Sequence, residues 1–282
     1  MKKHKSLIVF AVACLDIVLI ALASVFSFNS EVCFFQAAHS ETSEYNWYFK
    51  PRSDGLQPEN LSEFAFIKNY DAYWVGDPDE KSIYLTFDAG YENGYMPQIL
   101  DVLKKHNAPA AFFVVGHYIT SAPELVTRMV SEGHLVCSHS MNHKNMAAMS
   151  SLSTFKAEMK ELEDVYKALT GKQMPKFFRP PEGKFSGQCL KFAEQLGYKT
   201  IFWSFAYRDW YVDDQPSEEE AIKIITTRTH PGAVVLLHAT SATNAKVLDR
   251  VLTEWENMGY ELKSLDDFPY EKMRDDPGVS KD

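Results

Sequence analysis

The chain of 282 residues contains only four cysteines, too few for a fold held together by disulfides. It has no excess of positive charge: 29 lysines and arginines stand against 38 aspartates and glutamates, a formal net charge of −9. Nothing is therefore available to neutralise a phosphate backbone, and nucleic-acid binding is not expected. The same acidic balance gives the folded part no electrostatic attraction to an anionic membrane. No Gly-x-Gly-x-x-Gly follows a predicted strand and there is no P-loop, which disfavours a nucleotide-binding fold. Internal repeats and low-complexity stretches are absent as well. A mean hydropathy of −0.27 excludes a polytopic membrane protein. What remains is ordinary globular composition, 45% hydrophobic and 24% charged, in a chain long enough for one large domain or two small ones.

One long apolar run departs from this pattern. Lys2, Lys3 and Lys5 precede a stretch from Leu7 to Phe28 that is broken only by Asp16 and a few small polar residues. That is the layout of an export signal. Ala21-Leu22-Ala23 offers a cleavage site and Ala37-Ala38 a later one. The run is also long enough to remain as a signal anchor, although Asp16 within it costs about 2.5–3.5 kcal/mol on insertion scales. On either reading residues 1–30 direct export. The rest of the chain is then expected outside the cytoplasm, in the cell wall or tethered to the membrane by this segment alone. Cys14 and Cys33 lie in or beside the signal, and Cys14 fits a lipoprotein site poorly. Cys137 and Cys189 fall in the folded region and read equally as a disulfide or as two buried thiols.

Residues 31–80 mix aromatics, prolines and charges and read as an irregular lead-in packed on the domain. From residue 81 the pattern becomes regular. Short β-rich runs at 83–87, 110–115, 135–138, 176–178, 199–203, 233–237 and 260–262 alternate with helical spacings at 95–106, 123–132, 153–169, 186–196, 217–228 and 243–258. Ser217 and Glu220 form a capping-box pattern at the start of one helix. Strict alternation predicts an α/β fold of parallel βαβ units, about seven strands over 81–268, either closed as a barrel or open as a doubly wound sheet. The tail 269–282 is polar and expected to be loose.

Ionisable residues recur where these strands end. Asp88 closes the first, His139 and His143 follow the third, Arg179 closes the fourth, Asp209 and Trp210 come after the fifth, and His238 closes the sixth. In a parallel barrel those ends face one cleft, so the set is more telling than any member. His139 and His143 have the His-x₃-His spacing of two ligands to one divalent metal; alone, the pair reads as well as two surface histidines. Asp88 fits a general base beside a metal, or a helix N-cap. Arg179, stiffened by Pro180-Pro181, would keep Asp88 ionised by pairing with it, or is a surface cation at a loop start. His238 fits a general acid or a satisfied core histidine. Asp209 could orient His238, brace Arg179 or sit in a solvated turn, and Trp210 fits an apolar wall for a sugar face or a core residue.

Taken in order, Thr86-Phe87-Asp88-Ala89-Gly90, Ser138-His139-Ser140-Met141-Asn142-His143, Arg179-Pro180-Pro181-Glu182-Gly183, Asp209-Trp210 and Leu236-Leu237-His238 resemble the five motifs of the NodB-type polysaccharide deacetylases, carbohydrate esterase family 4. The resemblance spans about 82–268. It implies a distorted (β/α) barrel and metal-dependent hydrolysis of N-acetyl groups on β-linked amino sugars. Residue by residue it implies Asp88 as the base, His139 and His143 as metal ligands, Arg179 holding the base, His238 as the acid and Asp209 tuning it. Substrate contacts are implied for Trp210, Pro181 and Gly183. The implied cofactor is a divalent metal, zinc in the first instance.

One position departs from the family pattern. Its first motif has two adjacent aspartates, the second a metal ligand, and here that second position is Ala89. The segment Asp88-Ala89-Gly90-Tyr91-Glu92-Asn93-Gly94 resembles instead a subgroup that lacks this aspartate, the delta-lactam-forming muramic-acid deacetylases of spore-forming bacteria. That implies peptidoglycan glycan strands as the partner and N-acetylmuramic acid as the substrate, with a monomer expected. An N-acetylglucosamine or chitin-oligomer deacetylase, or a degenerate glycan-binding protein, are the competing expectations. Ala89 predicts weaker metal binding with water in the missing ligand's place. Glu92 is near enough in sequence to substitute through a water, although an exposed loop residue is its plainer reading.

Overall fold

Seven of the eight residues of Ser82–Ala89 are buried and Asp88 alone is partly open. A strand covered on both faces has no regular polar alternation, which is why Ile83 to Phe87 is apolar but for Thr86. The computed structural model describes residues 41–59 and 61–275. The predicted signal, Cys14, Cys33 and residues 276–282 of the tail lie outside the described residues.

The strands, in chain order, are β1 (Tyr45–Asn46), β2 (Ala72–Tyr73), β3 (Ser82–Ala89), β4 (Ala111–Val114), β5 (Leu135–Ser138), β6 (Phe177–Phe178), β7 (Lys184–Phe185), β8 (Lys199–Ile201), β9 (Ala233–His238) and β10 (Glu261–Leu262). The main sheet runs β2-β8-β6-β5-β4-β3, and β3 also carries β9 along residues 83–88 and β10 at its start. Every pairing in it is parallel. Beyond β8, Phe205 bridges to Val235 of β9, and Val75 beyond β2 bridges to Ala233. The sheet is thereby drawn round into the distorted barrel that the family resemblance implies, one of the two arrangements the alternation allows.

The helices pack outside it. Met96, Ile99, Leu100 and Leu103, the apolar positions of the first helical spacing, are all buried in the helix Met96–Lys105. Leu152–Thr170 is capped by Ser151, whose side chain accepts the Thr154 N–H, and is stopped by Gly171 at φ 71°. The Ser217–Glu220 capping box forms as read, at the start of Glu218–Arg228. Between the sheet and these helices Phe87 and Phe112 stack at 5.2 Å. Among the described residues no helix is long and apolar enough to cross a membrane.

The segment read as an irregular lead-in does more than pack on the surface. Its Ala72–Tyr73 is the eighth strand of the main sheet, parallel to β8, and Tyr45–Asn46 pairs antiparallel with β7. Two-residue strands are too short to show periodicity. Trp47 stacks on Phe202 at 4.6 Å, and its indole N–H donates to the Trp203 carbonyl at 2.9 Å. The tail also begins packed rather than loose: Tyr270–Asp275 is helical and the Tyr270 ring lies 4.8 Å from that of Tyr73. Cys137 and Cys189 are free and buried. Burial pushes the Cys189 thiol up to about 12, the state of an inert core thiol.

The lead-in is joined to β9 through two glycines. The Gly76 N–H donates to the Gly232 carbonyl at 2.7 Å. Gly232 has φ +69°, and a Cβ there would lie 2.5 Å from the Gly76 carbonyl carbon. Gly232→Ala therefore combines left-handed strain of about 1–3 kcal/mol with a backbone clash. Its thermal midpoint is expected to fall by several degrees in a calorimetric scan, whereas Gly133→Ala, which also has a positive φ but meets nothing within 4 Å, is expected to fall less.

Candidate active site

Strand register alone gathers the site. Asp88 and His238 are partners at the ends of β3 and β9. Val114, Ser138 and Phe178 are in register across β4, β5 and β6, so His139 and Arg179, each one residue further on, emerge at the same rim. The His139 N–H donates to the Val114 carbonyl and the Arg179 N–H to the Ser138 carbonyl, both at 3.0 Å. All four side chains thus sit at the carboxyl end of the barrel.

Arg179 is fully buried. Its Nη1 donates to Asp88 Oδ1 at 2.8 Å, Nη2 to Thr86 Oγ1 at 2.9 Å, and Nε to the Ile201 carbonyl at 3.0 Å. The guanidinium lies over the Phe113 ring at 4.1 Å. A buried charge is tolerated only when paired and hydrogen-bonded in this way. Burial alone would push the Asp88 carboxyl up, but Arg179, His139 and His238 together outweigh it and hold Asp88 below the usual carboxylate range. Asp88 is therefore held as an ionised carboxylate and does not serve as a helix cap.

His238 Nδ1–H donates to Asp209 Oδ1 at 2.7 Å, and the His238 backbone N–H donates to Asp209 Oδ2 at 2.8 Å. Burial would lower the imidazole's pKa, but Asp209 and then Asp88 raise it above the ordinary histidine value. Asp209 is itself buried and takes a third hydrogen bond from Asn244 Nδ2 at 2.6 Å. Of the roles open to Asp209 in the sequence, it takes the one toward His238.

His139 Nδ1–H donates to the Arg179 carbonyl at 2.8 Å. That fixes the tautomer and leaves Nε2 with a free lone pair. Burial, with His143 nearby, pulls the His139 pKa down to about 4, so the ring stays neutral. The His139 and His143 rings lie 5.0 Å apart and line one cleft. Two imidazoles converging on a polar cleft fit a borderline divalent ion. Among the described residues no three His, Cys, Asp or Glu side chains come together as a metal cluster.

The cleft holds about 640 Å³. Trp210 stands at its wall, 47% exposed and with its ring 5.9 Å from that of His238. Gly183 lines the cleft, whereas Pro181 is buried in the turn behind it. Glu92 is half-buried and points elsewhere: its carboxylate accepts the Gly94 N–H and the Tyr118 hydroxyl, the latter at 3.0 Å. It is neither an exposed loop residue nor part of the cleft lining.

Two participants escaped the sequence reading. Thr86 is legible in hindsight, since it lies two residues before Asp88 on the same strand face. Asn244 carries no signal of its own, because nothing in a helix's first turn marks it as bonding a buried aspartate. Trp47 and Tyr48 of the lead-in also line the cleft.

This geometry can be set beside known proteins. The sequence profile described as polysaccharide deacetylase matches residues 75–201. The chain is 42% identical over 240 residues to the peptidoglycan-N-acetylmuramic acid deacetylase PdaA of Bacillus subtilis, covering 84% of this chain and 90% of that one. The chain belongs to the polysaccharide deacetylase family. The solved structure of Bacillus subtilis PdaA, a family 4 carbohydrate esterase, superposes with a TM-score of 0.79 at 40% identity, over 82% of this chain and 99% of that one. A peptidoglycan-N-acetylglucosamine deacetylase, PgdA of Listeria monocytogenes, is 36% identical over 194 residues, 69% of this chain and 40% of that one. A family 4 pseudoenzyme from Bacillus anthracis, BA3943, superposes at a TM-score of 0.64 with 27% identity, over 70% of this chain and 68% of that one. As a member of the family, the chain is a carbohydrate esterase acting on an N-acetyl amide.

The acid side of this deacetylase site has a direct test. Asp209→Asn removes the charge that holds His238 protonated, so activity is expected to fall about 100-fold. The alkaline limb of the pH–rate profile moves to lower pH, because His238 loses its proton sooner. An alkaline limb that stays in place would assign the titration to another group.

Proposed function

We propose that the chain is an exported, metal-dependent deacetylase of N-acetylmuramic acid in peptidoglycan. The observation that carries this is the register pairing of Asp88 with His238, each held by its own buried partner, in a chain with 42% identity to PdaA. The Bacillus anthracis pseudoenzyme is a more distant relative, and the base and the acid are both present here.

His139 Nε2 and His143 would hold the ion, zinc in the first instance. When bound it supplies polarisation of the amide carbonyl and acidification of water. Asp88, ionised by Arg179, accepts the proton of the attacking water, whose oxygen bonds to the amide carbon. His238, protonated and fixed by Asp209, donates its proton to the departing sugar nitrogen as the C–N bond breaks. Acetate and a free amine result. In muramic acid that amine neighbours the lactyl carboxyl and can close to the delta-lactam of spore cortex. Trp210 offers the sugar an apolar face.

The decisive measurement is mass analysis of muropeptides after treatment of purified peptidoglycan. Loss of acetyl from the muramic residue, with acetate released, is expected; loss from glucosamine alone would shift the assignment to an N-acetylglucosamine deacetylase. Asp88→Asn is expected to cut acetate release by about 10²–10⁴-fold, and a chelator to abolish it until metal is restored. Equal release by Asp88→Asn and the parent would remove Asp88 from the mechanism.

The charged and apolar order of residues 1–30 supports export. Fractionation of the producing cell is expected to find the protein outside the cytoplasm, and N-terminal sequencing to separate a cleaved signal from an anchor. Recovery of the full-length chain in the cytosol would refute this part of the reading.

A further inference from the structure

The cleft carries a cation that the proposed chemistry does not use. Among the described residues that line it, Arg208 is the single lysine or arginine. Arg179 is buried on Asp88, and the His238 imidazole is held by Asp209.

The local fold presents Arg208 to the cleft. The Asp209 N–H donates to the Tyr207 carbonyl at 2.9 Å, a three-residue turn with Arg208 at its apex. Tyr207 and Asp209 on either side are buried, whereas Arg208 and Trp210 are exposed. Asp209 is fixed from within by His238 and Asn244. Gln215 braces the far end of the loop: its side-chain oxygen accepts the Ser241 hydroxyl and the Thr243 N–H, both at 2.9 Å. The loop is thus anchored on both sides of its exposed stretch. Trp210, with its ring 5.9 Å from that of His238, is two residues from Arg208, a span of about 7 Å at most.

Arg208 Nη2 pairs with Asp214, and the guanidinium lies 5.4 Å from the centre of the Tyr211 ring. The two charged side chains are 58% and 68% exposed, and such a pair contributes little. A guanidinium is a fork of N–H donors suited to a planar carboxylate, and the contact with Asp214 uses one of its nitrogens. A muramic residue differs from a glucosamine residue in its lactyl ether, whose carboxylate stands a few bonds from the N-acetyl nitrogen.

We propose that Arg208 binds the lactyl carboxylate of the muramic residue and so selects muramic acid over glucosamine. The inference rests on the muramic reading above and adds the residue that makes the choice. Arg208 takes no part in the proton transfers, so its contribution is to binding.

The test uses glycan strands freed of peptide stems, with the lactyl carboxyls either left free or converted to methylamides. The parent is expected to prefer the free carboxylate. Arg208→Gln is expected to lose that preference, with kcat/KM on the free strands falling about 10- to 100-fold, the range of a charge-assisted hydrogen bond. The fall is expected in KM, with kcat nearly kept. Arg208→Lys keeps the charge but not the fork and is expected to fall between the two. Asp214→Asn is expected to equal or exceed the parent, because it releases the guanidinium and removes a like charge from the substrate's path. If Arg208 served only its ion pair with Asp214, Arg208→Gln and Asp214→Asn would act alike, and that result overturns the proposal. So does a parent that deacetylates muramic residues equally well with free and amidated carboxyls; the muramic reading then stands without this inference. That comparison needs no variant to fold. Acetyl loss from glucosamine alone would overturn both.

Discussion

The Arg179–Asp88 pair is the constraint on which the site depends. A guanidinium with no exposure to water can be held there only by satisfying its donors. It does so with Asp88 and Thr86 on β3 and with the carbonyls of Ile201 and Phe202 at the end of β8. One side chain therefore ties together parts of the chain more than 100 residues apart. The barrel closes around it, and the Phe113 ring covers its face. Structure and electrostatics share this contact: the pairing that satisfies the buried guanidinium also keeps Asp88 ionised.

The acid is built on the same plan from different parts. Asp209 is buried like Arg179 and spends its oxygens on His238 and Asn244. Two titratable groups at adjacent strand ends are thus pushed in opposite directions, Asp88 down and His238 up. Neighbours, not the groups' own chemistry, set these opposite directions, and the proposed base and acid roles follow from them. His139 stands beside Asp88, its Nε2 3.6 Å from Oδ2, kept neutral by burial and held in one tautomer by the Arg179 carbonyl.

Much of this was readable in the residues. The seven strand runs from 83 to 262 reflect a pleat buried on both faces, and a buried parallel strand announces itself by its apolar continuity. The capping residues Ser217 and Glu220 and the helix stop at Gly171 are local devices, visible because they act within one turn. The lead-in was not readable: Ala72–Tyr73 becomes a strand because β8 offers an unpaired edge, not because of any pattern in the two residues. Glu92 misled for a related reason. Closeness in sequence to Ala89 suggested a shared site, but the Tyr118 hydroxyl and the Gly94 N–H draw its carboxylate away.

By itself, the sequence determined which residue types stand at the strand ends, and with them the family and its reaction class. It also determined the departure at Ala89, since the lack of a carboxylate there is a matter of composition. Only the tertiary structure decided which charge meets which: Asp209 with His238, Arg179 with Asp88 and Thr86, Asn244 behind Asp209, and Glu92 turned onto Tyr118. The physical reason is range. Periodicity and capping act over a few residues, whereas the shift of a pKa or the filling of a ligand position depends on atoms a few ångströms apart in space whose separation along the chain can be any length.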